Sequence, residues 1–309
     1  MNRISLSAQA SDRPIVALSD PAAIRAAVEE RLERLVVQQA GVPVNLSEAI
    51  RHALLGQSKR VRPVLLFLVA APEVDGVEAT LDLGCAIEMV HTASLILDDL
   101  PCMDDAQVRR QRPTTHLAFG QSTAILGAIA LLSRAFGLIA ALDGVAPDIR
   151  ARLASLLSDA VGWDGLVAGQ EIDVNGHDSL TGPEQVEQLN WLKTGVLFVA
   201  AAEMGAVLRG LDDERVADIR RFARHFGLAF QTADDLLDQT SSAQQAGKDV
   251  AKDGDKATLV SLFGASNARL TCQEHLSHAE QALAASGIDA GPVRALMSGL
   301  FDDRKAASA

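Results

Sequence analysis

The sequence predicts an all-α protein, one domain of about ten or more helices. Three observations predict it. Apolar residues recur at helical spacing through long segments, while no alternating strand pattern persists for more than a few residues. The chain is rich in Ala and Leu. Aromatics make up only 4% and Tyr is absent.

Taken in order, residues 1 to about 18 are polar and aperiodic and read as a mobile tail. Asp20-Pro21 reads as an N-cap followed by Pro at the first helical position. Ile24, Val28, Leu32 and Leu35 then share one face, until Gly41-Val-Pro43 ends the helix. A short helix is expected near Leu46 to Leu55, broken by Gly56-Gln-Ser58, and an apolar segment begins at Val61. Loops are expected at 71–76, 143–147, 175–183 and 210–213, and a polar, closable loop at 239–255. The apolar run Thr123 to Leu142 contains Ser133 and Arg134 and reads as a buried bundle helix rather than a membrane span.

Composition narrows the function. With 309 residues, 48% of them hydrophobic, the chain can bury a sizeable core. A net charge of -12 argues against nucleic acid and against anionic membranes. Cys85, Cys102 and Cys272 lack paired spacing and read as free thiols of a reducing compartment, with no zinc site. The N-terminus lacks a continuous apolar stretch of secretory type, so a cytoplasmic location is expected.

The chemistry lies in two acid clusters inside apolar helical segments. One contains Asp98, Asp99, Asp104 and Asp105; the other contains Asp234, Asp235 and Asp238. On a helix the second set falls at roughly 0°, 100° and 40°, within one face. Carboxylates so placed repel each other and call for a neutralising cation, or water. Two such clusters facing each other suit Mg2+, which takes one or two carboxylates each and bridges to phosphate oxygens. Asp98 and Asp104 do not share a face of an ideal helix, and Pro101 between them is expected to kink the chain and bring them together. Lys59-Arg60-Val-Arg62, Arg109-Arg110, Lys193, Lys248 and Lys256 make sense together as phosphate clamps. His91 lies two turns before Asp98 on the same face, which raises a ligand role. Glu88 and His91 also form a Glu-x-x-His, but the di-iron bundle that uses it needs a second copy, and none is present.

The stretches KRVRP (59–63), EMVHTASLILDDLPCMDDAQVRRQRPTTH (88–116), GLVAGQEID (165–173), KTG (193–195), FQTADDLLD (230–238) and GKDVAKDGDKATLV (247–260) carry a resemblance. The chain resembles the trans-polyprenyl diphosphate synthases, most of all the bacterial geranylgeranyl diphosphate synthases of carotenoid biosynthesis. The resemblance implies the isoprenoid synthase fold, a bundle around a central cavity, over residues 19–309, usually as a homodimer. It implies Mg2+ as cofactor (three ions per site, Mn2+ a possible substitute) and prenyl transfer from an allylic diphosphate to isopentenyl diphosphate. By position, Asp98, Asp99, Asp104 and Asp234 match metal ligands, with Asp235 and Asp238 in support. Arg109, Lys193, Thr194, Gln231, Lys248 and Lys256 match holders of the allylic diphosphate. Lys59, Arg62, His91 and Arg110 match the isopentenyl diphosphate site, and Gln170 and Asp173 a pair near the reacting carbons. Ala93 and Ser94, about one turn below Asp98, match positions that set product length. Both are small, so the product expected is geranylgeranyl diphosphate, with farnesyl or another short-chain diphosphate as the alternative.

Three departures stand out from the family pattern. Gln57-Ser58 replaces a frequent Gly-Gly, Gln111 a Gly, and Leu97 a frequent His. None removes a charge. A terpene cyclase would carry an Asn/Ser/Glu metal motif where this chain has DDLLD, and a non-catalytic partner subunit would tend to lose an Asp cluster.

Overall fold

The computed structural model describes residues 19–36, 41–176, 180, 182–240 and 259–307. The predicted tail at 1–18 and most of the predicted 239–255 loop, with Lys248 and Lys256, lie outside the described residues.

Helix α1 (Pro21–Leu35) starts as its sequence dictates: the Asp20 carboxylate accepts from the Ala23 amide at 2.9 Å, and Pro21 follows. Its Ile24, Val28 and Leu32 are wholly buried. Helix α2 (Val44–Leu54) leads into a turn that ends at Arg60, whose backbone is left-handed at φ 49°. Helix α3 (Val61–Ala70) follows, buried at every position. After a 3-10 turn at Val74–Gly76 comes α4 (Val77–Asp98), apolar on most sides and buried over most of its length.

A two-residue hairpin, β1 (Val108–Arg109) and β2 (Arg112–Pro113), leads to the short α5 (Thr115–Phe119) and to α6 (Gln121–Ala140). Helices α7 (Pro147–Val161), α8 (Leu166–Asn175) and α9 (Pro183–Asn190) follow; the breaks before α7 and between α8 and α9 fall where loops were expected, whereas the break at 162–165 between α7 and α8 was not anticipated. A π-turn at Trp191–Gly195 joins α9 to α10 (Val196–Leu208), which is buried on almost every side. The chain closes with α11 (Asp213–Thr240), α12 (Leu259–Ala285) and α13 (Gly291–Ala307).

Helices α3, α4, α10 and α11 form the centre. Helix α10 lies against α3 and α11, and α4 against α3 and α6. A side chain at Gly205 would meet the Leu66 carbonyl oxygen at 2.5 Å, so this glycine lets α3 and α10 touch backbone to backbone. Phe198 stands edge-on to Phe226 at 5.3 Å between ring centres and seals the α10–α11 seam.

Helix α6 corrects one expectation. It packs Ala124, Ala128, Leu131 and Ala135 on the bundle, but its outer face carries exposed Ile125, Leu126 and Ile129. The run is therefore half buried. Its apolar outer residues form a face that none of the described elements covers.

Candidate active site

Asp98 is the last residue of α4 and Asp99 its C-cap. The predicted kink is a chain reversal. The helix stops, Pro101 sits in the turn, and the Asp104 amide donates to the Asp98 carbonyl at 2.9 Å. Asp105 then turns with a left-handed φ of 47°. Asp104 thereby stands beside Asp98, as expected, because the helix ends and not because it bends.

Helix α8 and the π-turn press close together, since a side chain on Gly169 would lie 2.7 Å from the Lys193 amide nitrogen. This closeness aims Gln170 and Asp173, one turn apart, at the end of α4. Gln170 Nε2 donates to Asp98 Oδ1 at 2.5 Å. Lys193 Nζ donates to Asp173 Oδ2 at 2.5 Å and reaches Asp98 Oδ1 at 3.5 Å. One carboxylate oxygen from each of Asp98, Asp104 and Asp173 lies within 4.8 Å of the others. Oxygens about 2.0–2.1 Å from a common Mg2+ are roughly 3–4 Å apart, so this trio fits a hard cation with small adjustment.

Asp99 is absent from the trio and Asp173 joins it. One residue past Asp98, Asp99 is turned about 100° away, where Arg109 of β1 donates to its Oδ1 from Nε at 2.9 Å and Nη2 at 2.5 Å. Burial pushes the Asp99 carboxyl above its ordinary range, against the pull of Arg109. Burial likewise opposes the Arg109 charge, but Asp99 outweighs it and the guanidinium stays protonated. The cations that offset the first cluster are thus Arg109 and Lys193, supplied from other elements.

Asp234 and Asp235 belong to α11 and fall outside the trio; the side chain of Asp238 lies outside the described residues. Thr194 Oγ1 donates to Gln231 Oε1 at 2.8 Å, and Gln231 Nε2 donates to Asp235 Oδ1 at 2.8 Å. This chain ties the π-turn to the second acid cluster. Asp234 acts electrostatically on Arg62, which links that cluster to a cationic corner.

The corner holds Arg60, Arg62, His91 and Arg110. Arg62 lies over the Phe198 ring at 4.5 Å and 3.4 Å from His91 Nε2. Burial lowers its affinity for a proton to a pKa of about 10. Burial first, then Arg62 and Arg110, hold His91 well below the usual imidazole range, so it is neutral. Burial also lowers Arg110, which the Glu88 charge partly offsets. Lys59 is exposed at the rim. Arg110 and Gln111 both have left-handed backbones, at φ 54° and 63°. That conformation explains why Gly suits the Gln111 position.

Arg60, expected among the phosphate clamps, is instead turned inward onto Glu88. Both side chains are 1% exposed and they pair at 2.6 Å. Arg60 also donates to the Leu54 and Gly56 carbonyls at 2.7 and 3.0 Å. Glu88 is therefore spent on bracing Arg60 at the start of α3, between Lys59 and Arg62, rather than offered to a metal. The only available signal was the charge itself, in the middle of an apolar helix. Ala93 is wholly buried one turn below Leu97. Ser94 is half-buried one turn below Asp98, its hydroxyl donating to the His91 carbonyl at 2.8 Å.

Residues 43–285 match the family described as polyprenyl synthetase. The chain is 40% identical over 285 residues to a geranylgeranyl diphosphate synthase of Pantoea ananas, covering 91% of this chain and 92% of that one. Among solved structures, it resembles a geranyltransferase from Helicobacter pylori complexed with magnesium and isoprenyl diphosphate (TM-score 0.80, 28% identity, 95% of this chain and 98% of that one). It also resembles an FPP/GFPP synthase from Zymomonas mobilis (TM-score 0.79, 34% identity, 91% and 98%).

Proposed function

The chain belongs to the polyprenyl synthetase family, and we propose that it is a Mg2+-dependent prenyltransferase that condenses isopentenyl diphosphate with an allylic diphosphate. Geranylgeranyl diphosphate made from farnesyl diphosphate is the reaction we favour. One observation carries this reading: the Asp98–Asp104–Asp173 trio meets Lys193, while a separate corner holds Arg62, Arg110 and neutral His91. One pole attracts cations and the other a bare anion, which suits two diphosphates held in two ways.

Mg2+, when bound, supplies positive charge to the departing diphosphate. Asp98, Asp104 and Asp173 on one wall and Asp234 on the other would hold it, three ions being the complement we expect. Arg109 and Lys193 hold the allylic diphosphate, joined by Lys248 and Lys256. Lys59, Arg62 and Arg110 hold isopentenyl diphosphate, with His91 as a neutral donor. The allylic C–O bond breaks with its electron pair leaving on diphosphate. The isopentenyl double bond attacks the cation and forms the new C–C bond. The released diphosphate takes the proton that is lost, so no side-chain base is required. The Gln231 carbonyl oxygen, which accepts from Thr194, is a dipole that would help to stabilise the cation.

Residues 19–309 act as one catalytic domain in this reading. The exposed Ile125, Leu126 and Ile129 of α6 support a homodimer. Cysteines without paired spacing support a reducing, cytoplasmic location. A shorter or longer product is the second reading, favoured by the resemblance to an FPP/GFPP synthase. Incubating the purified chain with farnesyl diphosphate, labelled isopentenyl diphosphate and Mg2+ decides between them. Chromatography of the dephosphorylated products should show geranylgeraniol. No product from the chain alone would point instead to a partner subunit.

A further inference from the structure

Away from the acidic cleft, three imidazoles meet on the seam between α11 and α12. His225 comes from α11; His275 and His278 come from α12, three residues apart on one face. One ring nitrogen of each lies within 4.8 Å of the others. Nδ1 of His225 and Nδ1 of His275 are 3.0 Å apart, and the His225 and His278 ring centres are 5.0 Å apart. We propose that this triad is a second metal site, separate from the Mg2+ cleft, for a borderline transition ion of the Zn2+ class.

The donor set chooses the ion. Imidazole nitrogens suit zinc, cobalt, nickel and copper, whereas Mg2+ takes oxygen ligands. Two nitrogens about 2.0–2.1 Å from one zinc are roughly 3.3 Å apart at the tetrahedral angle, so the His225–His275 pair needs to open only slightly. His275 is buried, His225 half-buried and His278 exposed, which encloses the site on the protein side and leaves an entry from solvent. Burial, and then the neighbouring imidazoles, depress His225 to a pKa of about 4, and burial also lowers His275. Both are therefore neutral at neutral pH, and metal binding need not first remove a proton. Glu187 of α9 and Glu274 favour positive charge at His275, and Arg224 opposes it. Arg224 is drawn aside over the Trp191 ring at 4.6 Å. An ion here would pin α11 to α12. His225 and Asp234 are nine residues apart on α11, about 13 Å, so the two sites do not merge.

The test uses the tag-free full chain, stripped with a chelator and titrated with Co2+ in excess Mg2+, followed by equilibrium dialysis with Zn2+. One equivalent should bind with a visible absorption band, and Zn2+ should raise the unfolding midpoint. Both effects should vanish in His225→Ala and in His278→Gln, while Mg2+-dependent prenyl transfer stays at the wild-type level. His278 is exposed, so its variant keeps the fold, which circular dichroism checks. Unchanged stoichiometry in both variants, or displacement of the ion by millimolar Mg2+, would overturn the proposal.

Discussion

Arg60 and Glu88 show how single residues set up the site. Two side chains, each 1% exposed, pair at 2.6 Å at the start of α3, between Lys59 and Arg62. Removing one partner of a buried pair strands the other charge, so Glu88→Ala should cost about 3–5 kcal/mol, read from urea unfolding. A cost below about 1 kcal/mol would mean that water reaches Arg60 and screens it as at a surface pair. His91 gives a pH prediction. Burial and four nearby guanidiniums keep its folded pKa well below 6.5. The unfolded chain therefore binds the extra proton first. Stability from this residue is complete above about pH 6.5 and falls as pH drops towards the folded value. His91→Gln should flatten the acid side of the melting-temperature profile below pH 6.5. A profile parallel to that of the wild type would show that His91 is not held neutral.

At the scale of elements, α4 is both the spine of the fold and the rail of the site. It presents Glu88 and His91 to the cationic corner and Asp98 to the acid trio, and it carries Ala93 and Ser94 one turn lower. Ala93→Tyr should move the main product towards farnesyl diphosphate, because a ring there blocks growth along the helix. Ala93 is fully buried, so the same ring should also cost about 1–3 kcal/mol by overpacking. Ser94→Tyr starts from a half-buried position and should shorten the product with less loss of stability. If both variants still make geranylgeranyl diphosphate, the limit to chain growth lies off α4. Helix α6 makes a different prediction. Leu126 and Ile129 are 55% and 56% exposed. Charging both, as Leu126→Lys with Ile129→Lys, should turn a dimer into a monomer on size exclusion at micromolar protein. An unchanged elution volume would place the dimer contact elsewhere.

For the whole molecule, what could be read from the sequence divides along a physical line. Features that depend on near neighbours were legible: the Asp20-Pro21 start, the loops around 143–147 and 210–213, and the acid clusters. Features made by contact between distant segments were not. Nothing local says that Asp99 turns to Arg109, that Asp173 of α8 completes the trio, or that Glu88 is spent on Arg60. The outer face of α6 was hidden for the same reason, since apolar periodicity does not distinguish a face against the bundle from one left exposed. The central claim is that Asp98 anchors a metal-dependent ionisation, and it depends on the sum of these long-range contacts. The most direct measurement is the turnover of Asp98→Asn with farnesyl diphosphate, labelled isopentenyl diphosphate and saturating Mg2+, alongside its far-ultraviolet circular dichroism. The account predicts a fall in kcat of roughly 10^3-fold or more with the helical spectrum unchanged. Near-wild-type turnover by a folded Asp98→Asn protein would contradict it.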